Sequence, residues 1–162
     1  MSAQDNLGKQ FYKVKYYPVP KSPYDSPKIK SIKVDADLSS PEMRLPFHRG
    51  HCHALALAIN EQSGHPIGAV YNPGSDRARH FFNYDKEDPK MGFDAHGYRP
   101  VTEIVGKMGK WNAEKKDYDI ISNVHKKVTP EYVVKTTQGQ EGWLDAHHDA
   151  ARAIAPKIAT KP

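Results

Sequence analysis

Among the 162 residues there is a single cysteine, and its neighbours give it a chemistry. Cys52 stands in the run His48-Arg49-Gly50-His51-Cys52-His53, directly before the Ala- and Leu-rich segment Ala54-Leu55-Ala56-Leu57-Ala58-Ile59. A thiol opening a helix lies beside unpaired backbone N–H groups and the positive end of the helix dipole, which favour its thiolate form. The same N–H groups can hold the oxyanion formed when a thiolate attacks a carbonyl. Such a nucleophile needs a base within hydrogen-bond reach and an acceptor that fixes the base's tautomer. His80 and Asp94 are the residues of the right type downstream. A lone cysteine at a helix start is also a common small core residue.

The elements that must position this trio can be read from pattern and punctuation. Cys52 to Glu61 is dense in strong helix formers, and Gly64 with Pro66 closes it as a C-cap pair. Arg79 to Tyr84 reads as a strand, Asp85 to Lys90 as a polar turn, and Met91 to Ala95 as a strand returning antiparallel. A hairpin with this turn is expected to set His80 opposite Asp94 on the same side of the sheet. A slip of one residue would put them on opposite faces.

Gly50, Cys52 and Ala56 at a helix start, then a strand with His80, then Asp94 on the next strand, resemble the papain-like superfamily, nearest to its transglutaminase-like and NlpC/P60-like branches. His51-Cys52-His53-Ala54-Leu55-Ala56-Leu57-Ala58, Gly64-His65-Pro66-Ile67 and Asp94-Ala95-His96-Gly97 are similar to a small group of uncharacterised phage and bacterial proteins of that kind. The resemblance covers about residues 47–106. It implies an α+β, papain-like fold with an N-terminal catalytic helix packed on an antiparallel sheet. It also implies a thiol-dependent hydrolase or acyl transferase (peptidase, amidase or deamidase) with Cys52 as nucleophile, His80 as general base and acid, and Asp94 as its orienter. The glutamine that papain-like peptidases place shortly before the cysteine is missing, since no Gln lies between residues 11 and 61. A second oxyanion donor would then come from His48 or His51.

The remaining chain reads as one domain over 1–162, with an extended Pro- and Lys-rich arm at 1–46, the catalytic core at 47–106, and strand and helix at 107–162. Residues 1–9 are expected to fray, and Phe11 to Tyr17 and Lys28 to Val34 to be strands. Ser40 is a candidate cap for a short helical turn opened by Pro41. Ile67 to Tyr71 is a short buried strand, Pro100 to Gly109 a short helix, Tyr132 to Thr137 a strand, and Trp143 to Ile158 a closing amphipathic helix. Trp111 and Trp143 are expected in the core or at an interface.

Apolar residues make up 38% and the net charge is +5, so charge alone argues only for weak attraction to polyanions. Lys9, Lys13, Lys15, Lys21, Lys28, Lys30 and Lys33, interleaved with Tyr12, Tyr16, Tyr17 and Tyr24, could form a nucleic-acid surface. Lys alternating with Val or Tyr more often marks the wet face of an edge strand, and a protein or peptide substrate is favoured over a small molecule. One cysteine excludes an internal disulfide. The start has no basic and apolar leader, and no run approaches membrane-spanning length, so the expected location is cytoplasmic, with no membrane partner.

Two other functions compete. Nine histidines, with His48, His51, Cys52, His53, His80, Asp94 and His96 close in sequence, offer zinc ligands. No HExxH or CxxC pair presets a site, so neither metal nor cofactor is expected. The other rival is a non-enzymatic binder or inhibitor on a papain-like scaffold. His147 and His148 are expected to be solvated, and Asp145 and Asp149 to be solvated neighbours of His148 and Arg152. Gly68, Gly74 and Gly92 lack phosphate-loop spacing.

Overall fold

The computed structural model describes residues 2–4, 10–16, 22, 24, 28–48, 50–137 and 145–162. In chain order these form β1 (Ser2–Gln4), β2 (Gln10–Tyr16), β3 (Lys30–Asp35), a 3-10 helix (Pro41–Phe47), α1 (Cys52–Ser63), β4 (Ile67–Tyr71), β5 (His80–Tyr84), β6 (Met91–Asp94) and β7 (Gly97–Pro100). There follow α2 (Val101–Val105), β8 (Lys107–Asn112), β9 (Asp117–Ser122), β10 (Val124–Val128), α3 (Pro130–Thr137) and α4 (Asp145–Ile158). The architecture is α+β, with antiparallel pairing in a three-stranded sheet β1-β2-β3, a five-stranded sheet β10-β4-β5-β6-β7 and a separate ribbon β8-β9.

Helix α1 is apolar nearly all round because it is covered on more than one side. Leu55, Ala58 and Ile59 pack with Val14 and Val34 of the N-terminal sheet, Phe93 of β6, and Ile154 and Ile158 of α4. Ala56 turns instead to Ile67, Ala69 and Phe81 of the five-stranded sheet and to Val133 of α3. Each fully buried Leu or Ile contributes about 1.5–3 kcal/mol of transfer free energy, so this helix is held chiefly by its surroundings. Gly64 ends it in the left-handed conformation (φ 72°), with its N–H donating to Asn60 O at 2.9 Å. The other face of the five-stranded sheet carries Val70, Phe82 and Tyr84 against Val101, Ile104 and Val105 of α2.

Several expectations are corrected. Residues 2–4, expected to fray, pair with β2, and that puts β2 in the middle of its sheet rather than at an edge. Tyr132 to Thr137, expected as a strand, lies in α3. Pro130 opens that helix and the Thr129 hydroxyl accepts the Tyr132 N–H at 3.1 Å, so capping overrides the strand preference of the Val and Thr residues. The helix expected over 100–109 stops at Val105, where Gly106 takes φ 68°, and the chain continues as β8. Ser40 occupies the cap position before the 3-10 helix, but its hydroxyl donates to the Glu42 carboxylate instead of capping.

His147, expected in solvent, is 1% exposed. Trp111, expected in the core or at an interface, is not in the core: it is 55% exposed on the β8-β9 ribbon, whose Tyr118 and Ile120 are exposed too. Asp149 meets Arg152 at 3.4 Å as expected. Trp143 and Leu144, the first two residues of the expected closing helix, lie outside the described residues.

Candidate active site

Cys52 is the first residue of α1, half-buried, with His51 at the cap position. Strand β5 brings His80 to it, and a clamp behind the helix fixes the distance. Asn83 Nδ2, three residues along from His80, donates to Ala56 O at 2.9 Å and to His65 O at 3.3 Å, tying α1 and the turn after it to β5. Asn83 is 1% exposed, so the clamp works where water does not compete.

The hairpin differs from the expected one in register. Asn83 pairs with Phe93 and Tyr84 with Gly92, which carries Phe82, not His80, to the place opposite Asp94. The offset is an even number of residues, so the two side chains keep a common face. His80 Nε2 reaches Asp94 Oδ2 at 3.4 Å, with side-chain exposures of 14% and 1%. On the β4 side His80 pairs with Val70, whose side chain belongs to the sheet face that packs on α2. Cys52 belongs to α1 and the opposite face, so thiol and imidazole meet at the rim where β5 begins.

With Nε2 turned to Asp94, Nδ1 is the ring nitrogen left for the thiol. Burial pushes the Cys52 thiol up, but the hydrogen bond and charge of His80, with backbone hydrogen bonds at Phe81 and His53, bring it below the usual thiol value. Burial disfavours the His80 imidazolium, yet its bonds to Asp94 and Cys52 and their charges raise it to about 9. Both shifts run in the direction that favours a thiolate beside an imidazolium. Burial likewise pushes Asp94 up, and His80 and Arg99 outweigh it, holding the carboxyl well below the usual carboxylate range.

Arg99 was not singled out in the sequence. It donates to Asp94 Oδ2 at 2.6 Å, while the His96 N–H donates to Oδ1 at 2.9 Å. The signal that could have found it is the turn Ala95-His96 between β6 and β7, with Gly97 at φ 98°. That turn pairs Asp94 with Gly97 and folds Arg99 back along β6. A histidine pair was also missed: His48 Nε2 lies 3.3 Å from His96 Nε2, and the His48 ring stands edge-on to His80 at 6.0 Å between centroids.

Two cavities open at the rim. One of about 450 Å³ holds Cys52 with Arg77 and Arg79 in its wall, and the other, of about 400 Å³, holds His80 with Arg79 and Lys107. His48 borders both. His51 borders neither and stacks instead on His147 at 3.9 Å. Of the two oxyanion donors considered, His48 is therefore the one near Cys52 and His80.

No protein-family model, curated protein or solved structure matches this chain. The site must be read from its own geometry. Among the described residues no group of three or more His, Cys, Asp or Glu is arranged to hold a metal ion. None of their helices is long and apolar enough to cross a membrane.

Proposed function

We propose that this chain is a thiol-dependent hydrolase or acyl transferase of papain-like type, with Cys52 as nucleophile, His80 as general acid and base, and Asp94 as the group that orients His80. The observation that supports the reading is that His80 meets both partners: its Nε2 lies 3.4 Å from the buried Asp94 carboxylate, and its ring is hydrogen-bonded to the Cys52 thiol.

The Cys52 thiolate attacks the carbonyl carbon of an amide or ester. A C–S bond forms and the carbonyl π pair moves onto oxygen, where N–H groups at the start of α1 and His48 are placed to receive it. His80 delivers its Nδ1 proton to the leaving nitrogen or oxygen as that bond breaks, leaving an acyl-enzyme. Water or another nucleophile then gives a proton to His80, attacks the thioester carbon and releases Cys52. Asp94 keeps the imidazole in the tautomer that presents Nδ1 to sulfur, and Arg99 keeps Asp94 ionised.

The test is p-nitrophenyl acetate followed by intact mass. The expected result is a burst of nitrophenolate with one acetyl group on Cys52, absent from Cys52→Ala and His80→Gln. Acetylation confined to lysines, unchanged in both variants, would overturn the reading.

A further inference from the structure

We propose that the acyl substrate is an extended acidic peptide, with carboxylate side chains on both sides of the bond attacked by Cys52. This rests on the thiol chemistry proposed above and names its substrate class.

The two cavities flank the Cys52–His80 pair and share His48 and Arg79 as a common wall. A chain whose scissile carbonyl sits at the pair therefore has room on either side, one run in the 450 Å³ cavity and the next in the 400 Å³ one. The walls are cationic. Arg77 and Arg79 are exposed and form no ion pair among the described residues; the Arg79 guanidinium donates there to the neutral side chain of Asn72, at 2.9 Å. Lys107, on the His80 side, is likewise exposed and without an ion pair there. Among the described residues the single carboxylate in either wall is Asp76, and the charge of Arg99 is already matched by Asp94. Low-dielectric walls of one sign concentrate ligands of the other. Guanidinium forks suit carboxylates, which they bind by two parallel hydrogen bonds.

Asn123, 6% exposed, borders the His80-side cavity. Its Nδ2 donates to Val105 O at 3.0 Å, and its buried Oδ1 accepts no hydrogen bond among the described residues. A buried acceptor of this kind calls for a donor, and a peptide N–H supplies one where a carboxylate cannot. Among the described residues the walls hold one Phe, Tyr or Trp side chain, Phe81, and no stacked aromatic platform of the kind single-stranded nucleic acids use, and a nucleic acid offers the thiolate no acyl carbon. Both points favour a peptide.

The single thiol gives a direct test. Rates of Cys52 alkylation by iodoacetate and by iodoacetamide are measured at neutral pH and referred to the same ratio for glutathione. The iodoacetamide reaction is then repeated with an eight-residue oligoglutamate, oligolysine or oligothymidylate present. The expected result is an iodoacetate preference roughly tenfold above that of glutathione, lost in Arg77→Gln/Arg79→Gln, with protection by oligoglutamate and none by oligolysine. Rapid alkylation without anion preference or oligoglutamate protection overturns the acidic-peptide assignment and leaves the thiol chemistry standing. Protection by oligothymidylate alone overturns it in favour of a nucleic-acid ligand. A thiol inert to both reagents until the protein is unfolded overturns the proposed function and this assignment with it.

Discussion

His80 and Asp94 are not partners across the β5–β6 ladder, yet their side chains meet at 3.4 Å. Contact is made by leaning along a shared face, so the carboxylate needs a second anchor to keep its place. Arg99, at 2.6 Å, is that anchor. Asp94→Asn should lower Cys52 alkylation at neutral pH and leave Arg99 facing a neutral amide. Removing one partner of a buried ion pair costs about 3–5 kcal/mol. Because 26% of the Arg99 side chain remains exposed, the expected loss is near the lower end, about 3 kcal/mol, read as a fall in the urea midpoint. An unchanged midpoint together with full thiol reactivity would sink the role given to Asp94.

The pH dependence follows from the two opposed shifts. His80 is raised to about 9, so its contribution to stability is complete below the ordinary histidine value of ~6.5 and is lost as pH rises through about 9. Cys52 is lowered, so the thiolate persists below the ~8.5 of a free thiol. Wild-type alkylation should therefore extend to lower pH than that of His80→Gln. The stability difference between the two proteins should be largest at mildly acidic pH and vanish above about 9. Coincident rate profiles would show that the imidazole does not reach the sulfur.

Cys52→Ala should abolish alkylation and change stability by about 1 kcal/mol or less, since the side chain is only half-buried and the change leaves the helix start intact. Thermal denaturation checks this. A variant that unfolds would identify a core cysteine instead.

Acid should loosen the N-terminal sheet. His147 Nε2 accepts the Lys15 N–H of β2 at 2.9 Å, and burial, with the charges of His51 and His148 and of Lys15 against it, brings its pKa to about 4. A histidine depressed in the folded state is neutral there while the unfolded chain takes up the proton. Stability is therefore full above ~6.5 and falls as pH drops toward about 4. His147→Gln, which keeps an acceptor for Lys15 but cannot titrate, should flatten the acid limb of a urea-midpoint profile.

Gly68 of β4 has no room for a methyl group. A Cβ there would stand 2.5 Å from Phe82 Cζ and 2.8 Å from Tyr84 Cε2, both rings being buried. Gly68→Ala should cost about 1–3 kcal/mol of overpacking, measured by denaturant titration.

Much of the site's framework was legible because its signals are local. The Ala- and Leu-rich run with Gly64 behind it specifies α1, and the polar turn after Tyr84 specifies the β5–β6 hairpin. The register was not legible, since turn length alone leaves an even offset open, and it was the face that survived. Arg99 follows from the tight β6–β7 turn, a local signal that went unread, whereas the His48–His96 contact depends on how that turn and the 3-10 helix come together in space, which no spacing in the chain reports. Residues 107–128 escaped for another reason. Their strands carry few buried residues, with Trp111, Tyr118, Ile120 and Val124 on the outside, so the apolar alternation that announces a half-buried strand points the wrong way. Similarly, His147 looks polar in sequence, and its reasons to be inside, the backbone of β2 and the ring of His51, are far from it along the chain.

The β8-β9 ribbon bears on how this protein is to be watched. Its strands pair only with each other among the described residues, and Trp111 leans on Tyr118 at 5.2 Å between ring centroids. In a Trp143→Phe background, tryptophan emission would come from this half-wet indole alone. It would register opening of the ribbon, or a molecule settling beside it, while remaining almost blind to the packing around α1.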